Sequence, residues 1–309
     1  GLQLNIGGRG LNPRRTSNFN VCQNNYNITP DPLGYPESYY IPPFESLENI
    51  ELIRGAGALQ YGTQFGGLIN FNIKKPNQKK PLEIITRNTF GSYDFINHFT
   101  SLSGTLNKFG YYTFYNRKKG SGFRPNSDFY SNNFYLYSAY NFNQNLDISF
   151  ELTYLNYLSQ QPGGLTDDMF YSDIHQSNRE RNWFSVQWLI GAMKANYAFT
   201  SKTNLLITSY YLDAYRYSVG FRSNRVDQID SFKERDLIKS EFNSFGFESK
   251  LFHQYNLFNK EMVFLIGGKV YIGKNDTEQG PGSSGDDANF NFQTLSYPNY
   301  ENQSYYLNP

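Results

Sequence analysis

The sequence is poor in the residue types that form covalent cross-links and metal sites. Its 309 residues contain one cysteine, Cys22, and three histidines, His98, His175 and His253. A single cysteine excludes an intrachain disulfide and a cysteine-rich zinc site. The histidines lie far apart in the sequence and show no metal-ligand spacing. We therefore expect neither a metal site nor a cofactor.

Long apolar runs are missing as well. The longest apolar or glycine stretch of note, Met262 to Gly268, is far shorter than the roughly 18 residues that a helical membrane span needs. Any membrane insertion must therefore use β-strands. The formal net charge of +1 gives no electrostatic reason to expect a nucleic-acid partner. No secretory signal follows Gly1, and we expect a chain truncated at both ends, with residues 308–309 in an open loop.

Aromatic residues are abundant in spite of a polar overall composition. The chain has 27 Tyr, 27 Phe and 2 Trp, together 18% of its residues, at a mean hydropathy of -0.62. Transmembrane β-barrels combine these properties, because their strands alternate lipid-facing apolar residues with polar lumen residues and carry aromatic girdles at both interfaces. A soluble all-β sandwich with many surface tyrosines is equally compatible with the composition alone.

Strict alternation of apolar and polar residues predicts long strands after residue 81. On one face of 146–158 the apolar side chains are Leu146, Ile148, Phe150, Leu152, Tyr154 and Leu158. The same division recurs in 184–192, where Phe184 to Ala192 alternate with Ser185 and Gln187, and again in 262–272. In a barrel these apolar faces meet lipid, whereas in a soluble sheet they meet a core.

The lengths of the connections favour the barrel. The alternating segments are 82–91, 95–104, 109–118, 129–142, 145–157, 183–198, 202–215, 239–254 and 259–273. Every second connection is long, as expected for short periplasmic turns and long external loops. About nine strands would leave edges exposed to hydrocarbon. We therefore expect the fold to be a partial all-β transmembrane antiparallel β-barrel that continues beyond residue 309.

Two glycine-containing strings before residue 75 are more specific. Residues 50–71 read IELIRGAGALQYGTQFGGLINF, and residues 6–11 read IGGRGL. They resemble the late plug motif and, with one inserted glycine, the "I-R-G" plug element of TonB-dependent outer-membrane receptors. The motif residues are Arg9, Glu51, Arg54, Gly55, Tyr61, Gly62, Gly66, Gly67 and Asn70. The glycines permit positive φ and close backbone approach, and we expect structural ion pairs from Glu51 and Arg54.

This resemblance implies an architecture, a location and partners. A small α/β plug, residues 1–75, lies inside the barrel of residues 82–309, and the basic, proline-bracketed residues 76–81 link them. We expect only a short helical turn near Phe44 to Leu47 and a tight turn region from Gly55 to Gly67. The implied location is the bacterial outer membrane, in contact with its lipid. The implied energy source is TonB, although the TonB box that precedes the plug in such receptors is absent here.

The subfamily resemblance is to ferric-citrate-type receptors, through residues 34–43 and 60–67. It implies import of an anionic iron carboxylate or siderophore complex, for which guanidinium groups are suited because they bind carboxylates in a bidentate manner. We expect Arg14 or Arg15 of a plug apex loop to meet at least one arginine of the long loops. The candidate substrate-binding residues are Arg14, Arg15, Arg124, Arg179, Arg181, Arg222 and Arg225.

Three alternatives of other classes remain open. An enzyme would need a nucleophile and base or a metal-carboxylate cluster, and the nearest group is Asp167, Asp168, Asp173 and His175, typical of a solvated acidic loop. A passive porin does not explain the plug motif. A glycan or cobalamin importer of the same fold would use aromatic loop residues, such as Phe170, Tyr171 and those in 297–306, for stacking.

Overall fold

The computed structural model contains a small and a large β-sheet and describes residues 5–8, 10–31, 35, 37–61, 64–293 and 300–308. The small sheet is formed by β1 (Phe19–Gln23), β2 (Tyr26–Asn27), β3 (Leu47–Ile53) and β4 (Gly67–Ile73). Its order is β2-β1-β4-β3, with β1 and β4 parallel and the other pairs antiparallel. We call residues 5–75 the plug.

Helix in the described part of the plug is limited to 3-10 turns. They span Arg14–Thr16, Phe44–Ser46 and Gly55–Tyr61. The second confirms the turn predicted near Phe44, and the third occupies part of the predicted glycine-rich turn region. The plug is therefore held together by its mixed sheet and by packing rather than by helices.

The large sheet, which we call the wall, is an antiparallel meander of ten strands. Its strands are β5 (Glu83–Phe90), β6 (Ile96–Leu106), β7 (Phe109–Gly120), β8 (Phe129–Asn141), β9 (Leu146–Gln160), β10 (Trp183–Thr200), β11 (Thr203–Gly220), β12 (Asp236–Leu257), β13 (Lys260–Pro281) and β14 (Tyr300–Asn308). All nine predicted strands are present. The open loop expected at residue 308 was wrong, because Asn308 pairs with Tyr271 in the β13–β14 ladder. Residues 300–308 lack an alternating apolar face, so periodicity did not reveal this strand.

Short turns and long loops alternate along the wall, as predicted. The turns at 107–108, 142–145, 201–202 and 258–259 lie at one end, while loops such as 161–182 and 221–235 lie at the other. The strands β5 and β8 are slightly shorter than predicted. The other seven of the nine predicted strands are longer than their alternating segments, and β12 and β13 each have 22 residues. Such strands extend well beyond the 9–11 residues that a tilted bilayer crossing requires.

Aromatic pairs mark the short-turn end of the wall. Each pair consists of residues two apart on the outward face, with ring centroids 4.8–6.3 Å apart: Phe109 and Tyr111, Tyr140 and Phe142, and Tyr197 and Phe199. This placement corresponds to an interfacial aromatic girdle.

The two faces of β9 are oriented as the alternation predicted. Phe150 on the outward face is 41% exposed, and Leu146, Ile148 and Leu152 share that face. Glu151 on the opposite face is buried against the plug. The apolar face of β9 thus points away from the protein interior.

In β10 the same expectation was wrong. The apolar residues Phe184, Val186, Trp188, Ile190 and Ala192 are all buried and belong to one core with the plug. Plug residues supply an apolar surface at this point of the wall, so the apolar face of this strand meets protein instead of lipid. Alternation identifies an apolar face but does not determine which side of the wall it occupies.

The wall curves around the plug. Plug residues contact strands from β6 to β13. Asn97 of β6 donates to Glu45 Oε1 at 2.8 Å, and the Tyr271 hydroxyl of β13 donates to the Pro30 backbone carbonyl at 2.9 Å. The main core combines plug residues such as Tyr39 and Tyr40 with wall residues of β9–β12. The plug therefore lies within the concave side of the wall.

Candidate functional site

The two predicted plug arginines converge on one carboxylate. Arg15 has a positive φ of 44° and pairs with Glu37, and its guanidinium lies 4.9 Å from the centre of the Tyr39 ring. Arg14 Nε is 3.8 Å from Glu37 Oε1, and the Arg14 side chain is 66% exposed. Two guanidinium groups share one carboxylate, so this part of the plug carries a net positive charge.

A third arginine reaches the same place from the wall. Arg216 lies on the inward face of β11, and its guanidinium is 5.9 Å from the ring centres of both Tyr39 and Phe184. Its Nε is buried and has no hydrogen-bond acceptor among the described residues. Arg15 and Arg216 therefore both lie against Tyr39, near the long-loop end of the wall.

Arg216 was missed because the sequence reading considered arginines only in the plug and the long loops. A signal was nevertheless present: Arg216 continues the even-numbered inward face that contains Leu212 and Ala214. An arginine on a strand face that otherwise points into the lumen is a candidate for ligand contact.

Two of the predicted loop arginines are buried within the loops. Arg181 donates to Asp230 through two bonds of 2.6 and 2.9 Å and to the Ser284 carbonyl at 2.6 Å. Burial alone would raise the pKa of Asp230, but the hydrogen bonds from Arg181 and the Phe232 N–H hold it below its ordinary value. Arg179 donates to Ser223 and to carbonyls of the 221–235 loop.

Arg124 also joins neighbouring loops. It donates to the carbonyls of Pro162, Gly163 and Gln176 at 2.7–3.2 Å. Arg235, which the sequence reading did not select, is fully buried and donates to the Ser283 carbonyl at 2.9 Å and to the Arg181 and Asp287 carbonyls. These guanidinium groups connect the loops that follow β7, β9, β11 and β13.

The remaining two candidates are exposed. Arg222 lies on the surface of the 221–235 loop, and Arg225 is 78% exposed with its Nε 3.6 Å from Asp227 Oδ1. Within the described residues, no hydrogen bond or ion pair joins a loop arginine to Arg14 or Arg15. The structure thus brings Arg14 and Arg15 together with Arg216, and substrate contact by the seven selected arginines stays a prediction.

The plug motif forms a hydrogen-bonded network around Asn70. Asn70 is fully buried, accepts from the Asn25 N–H at 2.8 Å and donates to Asn25 Oδ1 and Glu51 Oε2 at 3.0 Å. Glu51 lies opposite Asn70 in the β3–β4 register. The ion pairs expected from Glu51 and Arg54 are not formed with any described residue, because Glu51 bonds Asn70 instead and Arg54 is exposed.

The glycines of the motif occupy positions that a side chain would disrupt. Gly67 has a φ of +102°, and a Cβ there would lie 2.3 Å from the Ile53 carbonyl oxygen. A Cβ on Gly66 would lie 2.6 Å from the Asn18 carbonyl oxygen. Gly55 opens the third 3-10 turn with a φ of +70°.

Of the remaining motif residues, the structure describes Tyr61. The Tyr61 ring lies 4.9 Å from Lys250 Nζ of β12, a plug–wall contact. Arg9 and Gly62 lie outside the described residues. Within the described part of the chain, no three His, Cys, Asp or Glu side chains are grouped to hold a metal ion, and no helix there is long and apolar enough to cross a membrane.

No protein-family model matches the chain. Among solved structures it is similar to the ferric citrate transporter FecA in its unliganded form, with a TM-score of 0.82, 20% identity and coverage of 99% of this chain and 47% of that one. It is also similar to the outer-membrane ferripyoverdine receptor of Pseudomonas aeruginosa bound to ferripyoverdine (TM-score 0.77, 12% identity, 97% and 43% coverage). A third is the ferric preacinetobactin receptor of Acinetobacter baumannii, with a TM-score of 0.67, 12% identity and coverage of 84% and 40%.

The likeness extends through the plug and all ten wall strands, because nearly the whole chain superposes on the first two structures. The chain spans about half the length of the structures it matches. The chain therefore has the fold of the ferric citrate and siderophore receptors whose plug motifs its sequence resembles.

Proposed function

We propose that this chain belongs to an outer-membrane receptor that imports an anionic ferric chelate, of the citrate or siderophore class, with energy supplied through TonB. The observation that carries the proposal is the convergence of Arg14, Arg15 and Arg216 around Tyr39 and Glu37 in a fold shared with ferric-chelate receptors. The bacterial outer membrane is the corresponding location.

The chemistry of these groups suits a carboxylate-rich ligand. The buried Nε of Arg216 is a donor with no protein acceptor among the described residues, and a buried unsatisfied donor is costly. A ligand carboxylate would satisfy it and can bind a guanidinium in a bidentate manner. Each charge-assisted hydrogen bond of this kind contributes about 1.5–3 kcal/mol.

The guanidinium groups of Arg124 and Arg179 join neighbouring long loops to one another. Arg124 donates only to backbone carbonyls, and Arg179 to carbonyls and the Ser223 hydroxyl. Their positive charges therefore have no carboxylate partner in these contacts.

We propose binding and transport rather than catalysis. In the acidic loop, Asp173 accepts the backbone N–H of His175 at 2.8 Å, and the His175 ring lies against Phe123 with centroids 4.5 Å apart. These contacts fix a turn. They do not place a base beside a nucleophile, which enzymatic acyl or phosphoryl transfer would need.

A glycan importer is the second candidate, favoured by one observation. The short helix α1 (Asp167–Ser172) in the 161–182 loop exposes Phe170 by 50% and Tyr171 by 84%. Exposed aromatic faces of this kind can stack on sugar rings.

Ligand binding to the full-length receptor separates the two candidates. We expect the Arg14→Ala/Arg15→Ala double variant, and separately Arg216→Ala, to weaken ferric citrate binding by roughly tenfold or more, since one lost charge-assisted bond exceeds the 1.4 kcal/mol of a decade. Arg117→Ala is the matched control, because that side chain is exposed on the outward face of β7, away from the plug. Isothermal titration calorimetry gives Kd for each.

Unchanged ferric citrate affinity in the plug double variant and in Arg216→Ala, together with tight binding of a neutral oligosaccharide, would assign the receptor to glycan import. Energy coupling is tested in cells: we expect deletion of TonB to abolish ferric citrate uptake while surface binding remains. Uptake that continues without TonB would contradict the coupling.

A further inference from the structure

One buried carboxylate on the wall accepts hydrogen bonds from two side chains of the plug. Glu151 of β9 is 1% exposed. It accepts from Asn24 Nδ2 at 2.7 Å, the Tyr26 hydroxyl at 3.0 Å and the Tyr135 hydroxyl at 2.9 Å. Its cationic partner is Lys194 of β10, at 2.8 Å. The carboxylate is therefore fully occupied by two plug side chains and two wall side chains.

Lys194 contacts the same plug turn. Its Nζ donates to the Asn24 carbonyl at 2.7 Å and lies 5.0 Å from the centre of the Tyr26 ring. Asn24 and Asn25 form the β1–β2 turn and both have positive φ, 46° and 70°. An ion pair on two neighbouring wall strands thus holds a plug turn by its side chain and its backbone.

The position of this contact divides the plug–wall interface into a polar and an apolar part. Towards the short turns, a cavity of about 700 Å³ separates plug and wall and is lined by polar residues that include Asn72, Asp147 and Asn196. Towards the long loops, Gln23 bonds Thr153 at 3.1 Å, and beyond it Trp188 packs with Tyr39. The pair lies where the hydrophilic cavity ends.

We propose that Glu151 and Lys194 form a reversible latch on the Asn24–Asn25 turn, and that its release extends the cavity along the inner faces of β8–β10 as an exit route for substrate. The inference deepens the proposed transport function and rests on it. The latch differs from a salt bridge between plug and wall because both charged groups belong to the wall.

This arrangement makes opening energetically feasible. Separating a buried ion pair leaves two uncompensated charges and is strongly destabilising. Here the plug contributes only an amide, a carbonyl and a hydroxyl, so the ion pair stays intact when the turn leaves. The released polar groups enter a cavity wide enough for water, which replaces their hydrogen bonds.

Cys22 provides a reporter for release. It lies in β1 just before the turn and is 4% exposed, and burial raises the pKa of its thiol to about 12. Alkylation requires an opened plug–wall interface, so its rate measures the open population. The test uses the full-length receptor in outer membranes, any other cysteines replaced by serine, with a maleimide probe.

We expect Glu151→Gln to accelerate Cys22 alkylation by roughly tenfold in de-energised membranes, while the Kd for ferric citrate stays unchanged. The Glu151→Gln/Lys194→Gln variant should label more slowly than Glu151→Gln alone, because it leaves no unpaired lysine. Asn24→Gly should also accelerate labelling, since it removes a plug ligand, tolerates the positive φ and preserves the wall pair. Asp276→Asn, which removes an ion pair within β13 (Lys274 Nζ–Asp276 Oδ2, 2.6 Å), is the matched control.

Alkylation at the wild-type rate in both Glu151→Gln and Asn24→Gly would overturn the latch. The latch would also be overturned if Asp276→Asn accelerated Cys22 alkylation by the same factor, because the acceleration would then reflect a general loosening of the protein. Labelling needs no ligand, so the proposed function is tested separately by ferric citrate binding. A receptor that binds no ferric chelate but shows these labelling rates retains the latch and loses only its assigned cargo.

Discussion

Trp188 offers the sharpest test of how the plug is held, because one strand carries both the test residue and its control. Trp188 is fully buried on the inward face of β10, its Nε1 donates to the Ile28 carbonyl at 3.1 Å, and its ring lies 5.9 Å from that of Tyr39. Met193 is on the outward face of the same strand and is 53% exposed.

Trp188→Ala removes a large side chain and leaves a carbonyl without its donor. Replacing a buried tryptophan by alanine costs about 3–5 kcal/mol, to which the orphaned Ile28 carbonyl adds about 1–3 kcal/mol. For a domain of the size of the plug, each kcal/mol lost from the free energy of unfolding lowers Tm by roughly 4–8 °C. We expect plug unfolding to move down by more than 10 °C in Trp188→Ala and by only a few degrees in Met193→Ala.

The measurement is protease cleavage of the plug against temperature in detergent-purified full-length receptor, with barrel melting followed separately by circular dichroism. Trp188→Phe keeps most of the ring and isolates the hydrogen bond, and we expect an intermediate shift. If Trp188→Ala and Met193→Ala shift plug cleavage equally, the inward orientation of this face of β10 is refuted.

Two further predictions concern substitutions of single residues. Gly67→Ala should prevent stable folding of the plug, because a Cβ would lie 2.3 Å from the Ile53 carbonyl oxygen at a φ of +102°. The measurement is the resistance of the plug to trypsin. A fully resistant variant would contradict the prediction and show that the backbone around residue 67 can shift to accept a side chain. Arg181 lowers the pKa of Asp230 in the folded protein, so the ionised Asp230 carboxylate stabilises the 221–235 loop. This stabilisation is fully present above the pKa of an aspartate in the unfolded chain, about 3.9. It is lost as the pH falls through the lower pKa that Asp230 has in the folded protein. Pepsin cleavage of that loop should therefore rise below about pH 4 in the wild type and be high at every pH in Asp230→Asn; parallel profiles would contradict the pairing.

The architecture was predictable because it depends on local patterns. Alternation located nine wall strands, and the connection lengths gave the direction of the meander. The side of an apolar face was not predictable where protein replaces lipid. In Phe184 to Ala192, the partner surface comes from Tyr39 and Tyr40, which lie more than 140 residues earlier. Such long-range complementarity leaves no periodic signature.

The candidate site was predictable only in part for a similar reason. A loop position gives an arginine access to solvent, but it also brings carbonyl groups of neighbouring loops within reach. The guanidinium groups of Arg179 and Arg181 donate hydrogen bonds to such carbonyl groups. These contacts depend on loop conformations that sequence patterns do not specify. Arg216, in contrast, follows from strand periodicity once the inward face of β11 is known.

The apolar inward face of β10 also has a consequence for the wall itself. A wall with Val186, Trp188 and Ile190 turned inward has a hydrophobic strip on what would be the surface of a water-filled pore if the plug were absent. Water wets such a strip poorly, and a nascent wall would tend to bury it against other chains. The plug covers this strip in the folded protein, so the wall depends on the plug to keep that apolar surface away from water.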